Sequence, residues 1–215
     1  MRSAPAPLFR ALPLASCSLA LLLGACGGGP SEVGDPGLRA DDPAGDTRDG
    51  VLVDGLRYPL VAAIGELWGD RGDWPDHFNV RFTLTDGRFA VTPIVVDGQS
   101  ASVRTPVGAS AVLLADLYAP GASSFPFTAY AHVGDPGVPG AIDGLHFFTD
   151  ARLGVDTDRS GEVEPGEMRD VVGGSIEFTG PVSDIGLTFE LVLEDGVSAS
   201  GSYRGLFEFV PIPAD

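Results

Sequence analysis

The sequence predicts an all-β protein, an antiparallel β-sandwich or barrel-like domain with one short helical turn. Three observations carry this. Thirty glycines and eighteen prolines punctuate a chain of 215 residues, a density that suits short strands joined by many turns. Two segments, "FNVRFTLTDGRFAV" and "IGLTFELVLEDGVSASGSYRGLFEFV", alternate apolar and polar residues and break at Asp-Gly pairs. Only Pro165 to Val172 has helical character, and that stretch is short.

Residues 1–25 read as a targeting segment. Arg2 and Arg10 precede an apolar run, "ALPLASCSLALLLGA", which is too short and too rich in small residues to make a comfortable membrane span. The run ends in "LGAC", Leu23 to Cys26. This resembles the lipobox of bacterial lipoproteins, and the charged start and glycine-rich continuation accompany it. The resemblance implies a signal peptide cleaved before Cys26 and lipidation of Cys26 by a thioether-linked lipid and an amide-linked acyl chain such as palmitate. Several acyl chains anchor firmly, at about 0.8 kcal/mol per buried methylene. In Gram-negative lipoproteins an Asp after the cysteine favours inner-membrane retention. Gly27 stands there instead, which points to the outer membrane, with its periplasmic and surface faces both open. An ordinary secretory signal that happens to contain a cysteine is the alternative.

Residues 26–50 carry only Val33 and Leu38 as large apolar side chains among Gly, Pro and Asp. Such a stretch buries too little surface to offset its ordering entropy, so it reads as a flexible tether between lipid and domain. The formal net charge is −17, and all thirteen cations are arginine, a bias that genomic base composition accounts for. The acidity disfavours nucleic acid and anionic lipid as partners, because a phosphate backbone needs a basic face. Cys17 lies inside the targeting segment and no cysteine follows Cys26, so the domain has neither disulfide nor thiol chemistry.

The domain is expected over 51–215. In "FNVRFTLT", Phe78, Val80, Phe82 and Leu84 share one face, and Asp86-Gly87 predicts a hairpin turn into 89–96. Ile185, Leu187, Phe189, Leu191 and Leu193 share a face before the Asp195-Gly196 turn and a return over 197–210. Further strands are expected at 58–68, 101–106, 110–118, 125–133, 145–153 and 175–179. The C-terminal stretch, from Gly-Gly-Ser-Ile-Glu-Phe to Gly-Ser-Tyr-Arg-Gly, is similar to the ending of many uncharacterised β-rich bacterial lipoproteins, which implies fold class and location but no activity.

The stretch "DTDRSGEVEPGE", residues 156–167, has the spacing of a calcium loop. Such loops place oxygen ligands at positions 1, 3, 5, 7, 9 and 12, with glycine at 6 for the sharp turn. Those positions hold Asp156, Asp158, Ser160, Glu162 (through its carbonyl), Glu164 and Glu167, and Gly161 takes the turn. Val163 at position 8 is apolar, and Pro165 opens the helical turn where its missing donor costs little. The segment resembles an EF-hand loop, which implies calcium as the cofactor. It departs from that family outside the loop, since the preceding "GLHFFTDARLGV" reads as a strand and no second loop appears. An acidic surface turn without metal is the alternative.

Other candidates are weaker. Trp68 and Trp74 would stack on sugar rings if exposed, or anchor core and loops if buried. His132 and His146 would make a second site if they faced each other between their strands, and are otherwise ordinary hydrogen-bonded histidines. Arg71-Gly72-Asp73 spells an integrin-binding tripeptide of the sort that arises by chance. No nucleophile elbow, zinc-protease or phosphate-loop motif occurs, and thirty acids allow too many pairings for any one pair to stand out. The expectation is an outer-membrane-anchored calcium-binding lipoprotein serving as a non-enzymatic surface or periplasmic binding or structural module, with a glycan or protein partner. A carbohydrate-binding module using Trp68 and Trp74 is the alternative, followed by a hydrolase with an unrecognised site.

Overall fold

The computed structural model describes residues 38–39, 49–70, 74, 76–96, 98–121, 124–138, 140–181 and 184–212. The chain divides into two units, Met1–Gly34 and Asp35–Asp215, and every described residue belongs to the second. The expected signal peptide, Cys26, and Arg71-Gly72-Asp73 all lie outside the described residues.

The fold is all-β. In chain order the strands are β1 (Leu38–Arg39), β2 (Gly50–Val53), β3 (Leu56–Pro59), β4 (Ala62–Gly69), β5 (His77–Thr85), β6 (Arg88–Val96) and β7 (Gln99–Val107). They continue as β8 (Ala111–Pro120), β9 (Ala129–His132), β10 (Phe147–Val155), β11 (Met168–Thr179), β12 (Ile185–Leu193), β13 (Ser198–Gly205) and β14 (Phe207–Pro211). Twelve of them form one curled sheet in the order β1-β3-β2-β13-β12-β11-β9-β10-β8-β5-β4-β14, and β6 and β7 form a separate ribbon. The sheet is mixed rather than purely antiparallel. β14 returns parallel to β4, and β9 runs parallel to β10 across the long connection 133–146. A same-direction pair needs a long crossover of this sort.

The alternation read from sequence is the burial pattern of β12, where Ile185, Leu187, Phe189, Leu191 and Leu193 point inward and residues between them do not. The core is aromatic at its centre. Phe82 meets Phe178 edge-on and stacks on Phe207, so strands distant in the sheet order pack across one interior. Phe125 and Phe127, which precede β9, close over Phe178 and reach Phe209 on the last strand.

Of the stretch 26–50, the described residues are Leu38–Arg39, which pairs with the edge of β3, and 49–50, where β2 begins. Three expectations need correction. Asp86-Gly87 does turn the chain, but β5 and β6 do not pair with each other. β5 pairs with β8, so the β6–β7 ribbon is an excursion between two sheet neighbours. Asp86 decides this, because its carboxylate accepts the Ser110 and Ala111 N–H groups at 2.8 and 2.9 Å and so binds the corner to the start of β8. The expected strand 58–68 is two strands, bent at Leu60 and Val61, and strand 125–133 shortens to β9. Finally, the helical character at 165–172 amounts to one 3-10 turn, Pro165–Glu167. From Met168 the chain is extended, because β10 offers it a ladder in which Arg152 pairs with Asp170 and Gly154 with Met168.

Candidate metal centre

The acidic segment 156–167 closes a hairpin. β10 ends at Val155 and β11 begins at Met168, with Gly154 opposite Met168 in register. The first and last ligand positions, Asp156 and Glu167, therefore stand side by side at the neck of the loop. The ladder itself brings them together, with no helix involved.

The loop is also fastened laterally. Asp156 N–H donates to Ser110 O at 2.9 Å, and Val163 N–H donates to Ala109 O at 2.8 Å. These bonds continue the β8–β10 ladder, which ends at Val155 and Ala111, into the loop. Gly154 makes room for the fold-back, since a Cβ there would lie 2.5 Å from Val163 Cγ1 and closer still to Met168 Sδ. Gly161 sits at φ 90°, in the region where glycine is favoured, and Arg159 at φ 63° is one of three non-glycine described residues there.

Asp156, Asp158 and Glu167 form an acidic cluster that could hold a metal ion. One carboxylate oxygen from each lies within 4.8 Å of the others. Asp156 is buried at 6% exposure, and its two oxygens accept Ser160 N–H at 3.0 Å and Gly161 N–H at 2.8 Å. Asp158 accepts the same Ser160 N–H at 3.0 Å. Glu167 accepts Thr157 N–H at 2.6 Å, Thr157 Oγ1–H at 2.7 Å and, on its other oxygen, Glu164 N–H at 3.0 Å. Ser160 Oγ–H donates to the Glu162 carbonyl at 2.9 Å, so positions 5 and 7 point at one another. Burial acts to raise the Glu167 carboxyl, but the bonds from Thr157, Glu164 and Asp158 outweigh it and hold the group below the usual glutamate range. Glu164 lies in the same loop, but its carboxylate is not part of the converging trio. Position 9 in such loops often acts through a water.

The other expected residues do not assemble into one site. Trp68, one residue before the end of β4, is half-buried, with the Arg81 guanidinium 5.5 Å over its ring, so one face is already covered. Trp74 lies in the β4–β5 connection, also half-buried. His132 and His146 are set two registers apart by the parallel pairing of β9 with β10. His132 meets Phe148 and His146 meets Tyr130, each edge to face. Burial lowers the His132 pKa against an opposing backbone hydrogen bond with Val171. Among the described residues Asp156, Asp158 and Glu167 are the one group of three or more His, Cys, Asp or Glu side chains that converges.

Sequence reasoning missed five buried polar residues: Asn79, Thr83 and Thr85 on β5, where both faces are largely covered and the expected alternation fails, and two ionisable ones, Glu66 and His77. Glu66 sits at 4% exposure on β4, where it accepts the Arg104 N–H of the ribbon at 2.7 Å. Burial raises its carboxyl above the usual range, against the Arg104 bond and the charge of Arg81. The Trp68 indole N–H leans the same way without reaching hydrogen-bond geometry. Nothing in "AAIGELWG" signals this, because the cover comes from a ribbon distant in sequence. His77, the other, opens β5 at 6% exposure. Comparison with protein-family models, curated proteins and solved structures finds no match to this chain.

Proposed function

We propose that this protein is an outer-membrane-anchored lipoprotein whose β domain binds one calcium ion and acts as a non-enzymatic binding or structural module, in the periplasm or at the cell surface. The observation that carries the reading is the convergence of Asp156, Asp158 and Glu167 around a turn whose glycine has the conformation that the twelve-residue spacing requires. Calcium takes oxygen ligands at about 2.3–2.6 Å, so oxygens up to about 5 Å apart fit one coordination shell. Ser160 Oγ and the Glu162 carbonyl supply neutral oxygens beside the carboxylates, and Glu164 completes the set through a water. Magnesium demands a tighter octahedron and gives up its waters reluctantly, which favours calcium for a loop of six flexible oxygen donors.

The anchor rests on "LGAC" and its apolar run. Calorimetric titration of the full chain tests the metal: calcium should bind with one-to-one stoichiometry, and Glu167→Gln should weaken binding by about tenfold or more, because it removes charge from the bidentate position. Unaltered affinity in Glu167→Gln would remove the loop from the site. For the anchor, Cys26→Ser should abolish palmitate incorporation and leave an unprocessed or soluble species. If Cys26→Ser protein is processed to normal size and still fractionates with membranes, Cys26 is not the anchor.

A further inference from the structure

A pocket of about 280 Å³ lies away from the acidic loop, lined by Trp74, Asp76, His77, Pro120, Ile142 and Asp143 among others. Two of the lining residues carry a buried polar atom with no hydrogen-bond partner among the described residues, Trp74 Nε1 and His77 Nδ1. Buried polar groups are nearly always satisfied, so two orphans on one small cavity call for a ligand or ordered water. The His77 ring is fixed from both sides. Its Nε2 lies 3.3 Å from Ile142 O, and Phe147 meets it edge to face with ring centroids 5.3 Å apart. A carbonyl can only accept, so Nε2 carries a proton, and in the neutral ring Nδ1 is then an acceptor. Backbone bonds hold the surrounding turn, from His77 N–H to Trp74 O and from Gly121 N–H to Asp76 O, both at 2.9 Å.

The pocket therefore offers one donor, the Trp74 indole N–H, and three acceptors: His77 Nδ1 and the carboxylates of Asp76 and Asp143. That set discriminates between ligand classes. An anion meets two carboxylates and no cation in the lining. An amine cation suits the carboxylates but leaves the indole N–H unpaired. An apolar ligand leaves both orphans unpaired. A hydroxyl group both accepts and donates, so a molecule with neighbouring hydroxyls on an apolar ring satisfies every group. The volume is near the lower end of ligand pockets, which are about 300–1,000 Å³, and fits a single ring better than an oligomer.

We propose that the pocket formed by Trp74, Asp76, His77 and Asp143 binds a neutral polyhydroxylated ring, of the size of one pyranose sugar. The proposal deepens the reading of the domain as a binding module, but it uses neither the calcium loop nor the lipid anchor. Trp68 has no part in it, because Trp68 does not line this pocket.

The chain has two tryptophans, so its indole N–H groups give two nuclear magnetic resonance signals, and Trp74→Phe identifies one of them by deletion. Glucose, galactose, mannose and N-acetylglucosamine would be titrated singly into the full chain, with choline and acetate as cationic and anionic controls. At least one sugar should shift the Trp74 indole signal saturably and leave that of Trp68 in place. Asp143→Asn is exposed and should fold normally, and it should weaken that sugar by about tenfold, the scale of one hydrogen bond to a charged group. The proposal is overturned if no sugar moves the Trp74 signal, if choline or acetate moves it instead, or if Asp143→Asn binds the sugar unchanged. A calcium melting shift recorded on the same sample reports the loop alone, so failure at the pocket is separable from failure of the calcium reading.

Discussion

Two carboxylates in this domain respond to pH in opposite directions. Glu167 has a folded pKa held down by its hydrogen bonds. Its stabilising contribution is therefore complete above the unfolded value of about 4.3 and fades as pH falls through the lower folded value. Glu66 has a folded pKa raised by burial. It is harmless below about 4.3 and costs stability as pH rises through the raised value, where the folded state must hold a buried charge. Melting curves of Glu66→Gln should accordingly show a gain over the parent near neutral pH that shrinks toward about pH 4. A Glu66→Gln protein that is less stable at neutral pH would mean that the Arg104 N–H bond outweighs the burial cost. The acidic cluster of Asp156, Asp158 and Glu167 was legible in sequence because its chemistry is local, acids and a glycine at set spacings along twelve residues. Glu66 and His77 were not legible, because each is made special by a segment far away, the ribbon in one case and the 133–146 connection in the other.

At the level of elements, what could be read was alternation within a strand, and what could not was which strand lies beside which. β12 shows the first, inward at every second residue. β6 shows the second: its sequence and the Asp-Gly before it match a simple hairpin, yet Asp86 spends its carboxylate on β8 and the ribbon leaves the sheet. β11 combines both. Val171 and Ile176 are both buried although an odd number of steps separates them, and a register shift between Val171 and Gly173 restores the phase. Gly174 follows at φ 116°, where an added Cβ would strike Glu190 O and come within 2.8 Å of the Leu191 Cα. Both neighbours are backbone and cannot give way. Gly174→Ala should therefore cost about 3 kcal/mol or more, from positive-φ strain added to backbone collision. Gly173→Ala, whose Cβ would meet only Val192 at ordinary distance, is the matched control and should cost far less in urea unfolding. Equal losses in the two variants would place the bulge elsewhere.

At the scale of the whole molecule, the question is what calcium would change. Helix-pair switches work by rearranging two helices. Among the described residues there is no α-helix, only the 3-10 turn within the loop. The strands on either side are embedded in the sheet, β10 between β8 and β9 and β11 against β12, with Leu153, Val155, Val171 and Ile176 in the core. Arg169, two residues past the loop, pairs with Asp54 at 2.9 Å and Asp195 at 3.2 Å, which ties the loop's exit to two neighbouring turns. Removing calcium should thus leave three crowded carboxylates, those of Asp156, Asp158 and Glu167, on a framework that persists. The ion then acts by mass action, at about 2.7 kcal/mol when free calcium is about a hundred times Kd. For a domain of this size that corresponds to roughly 5–10 °C in Tm. A chelator should lower the melting temperature by that order while the far-ultraviolet β spectrum stays the same, and Glu167→Gln should lose most of the calcium-dependent part. An unchanged Tm with and without calcium would show that the loop does not hold the ion in the folded state. A large spectral change on adding calcium would show that β10 and β11 need the ion to form, and that their own apolar faces do not suffice.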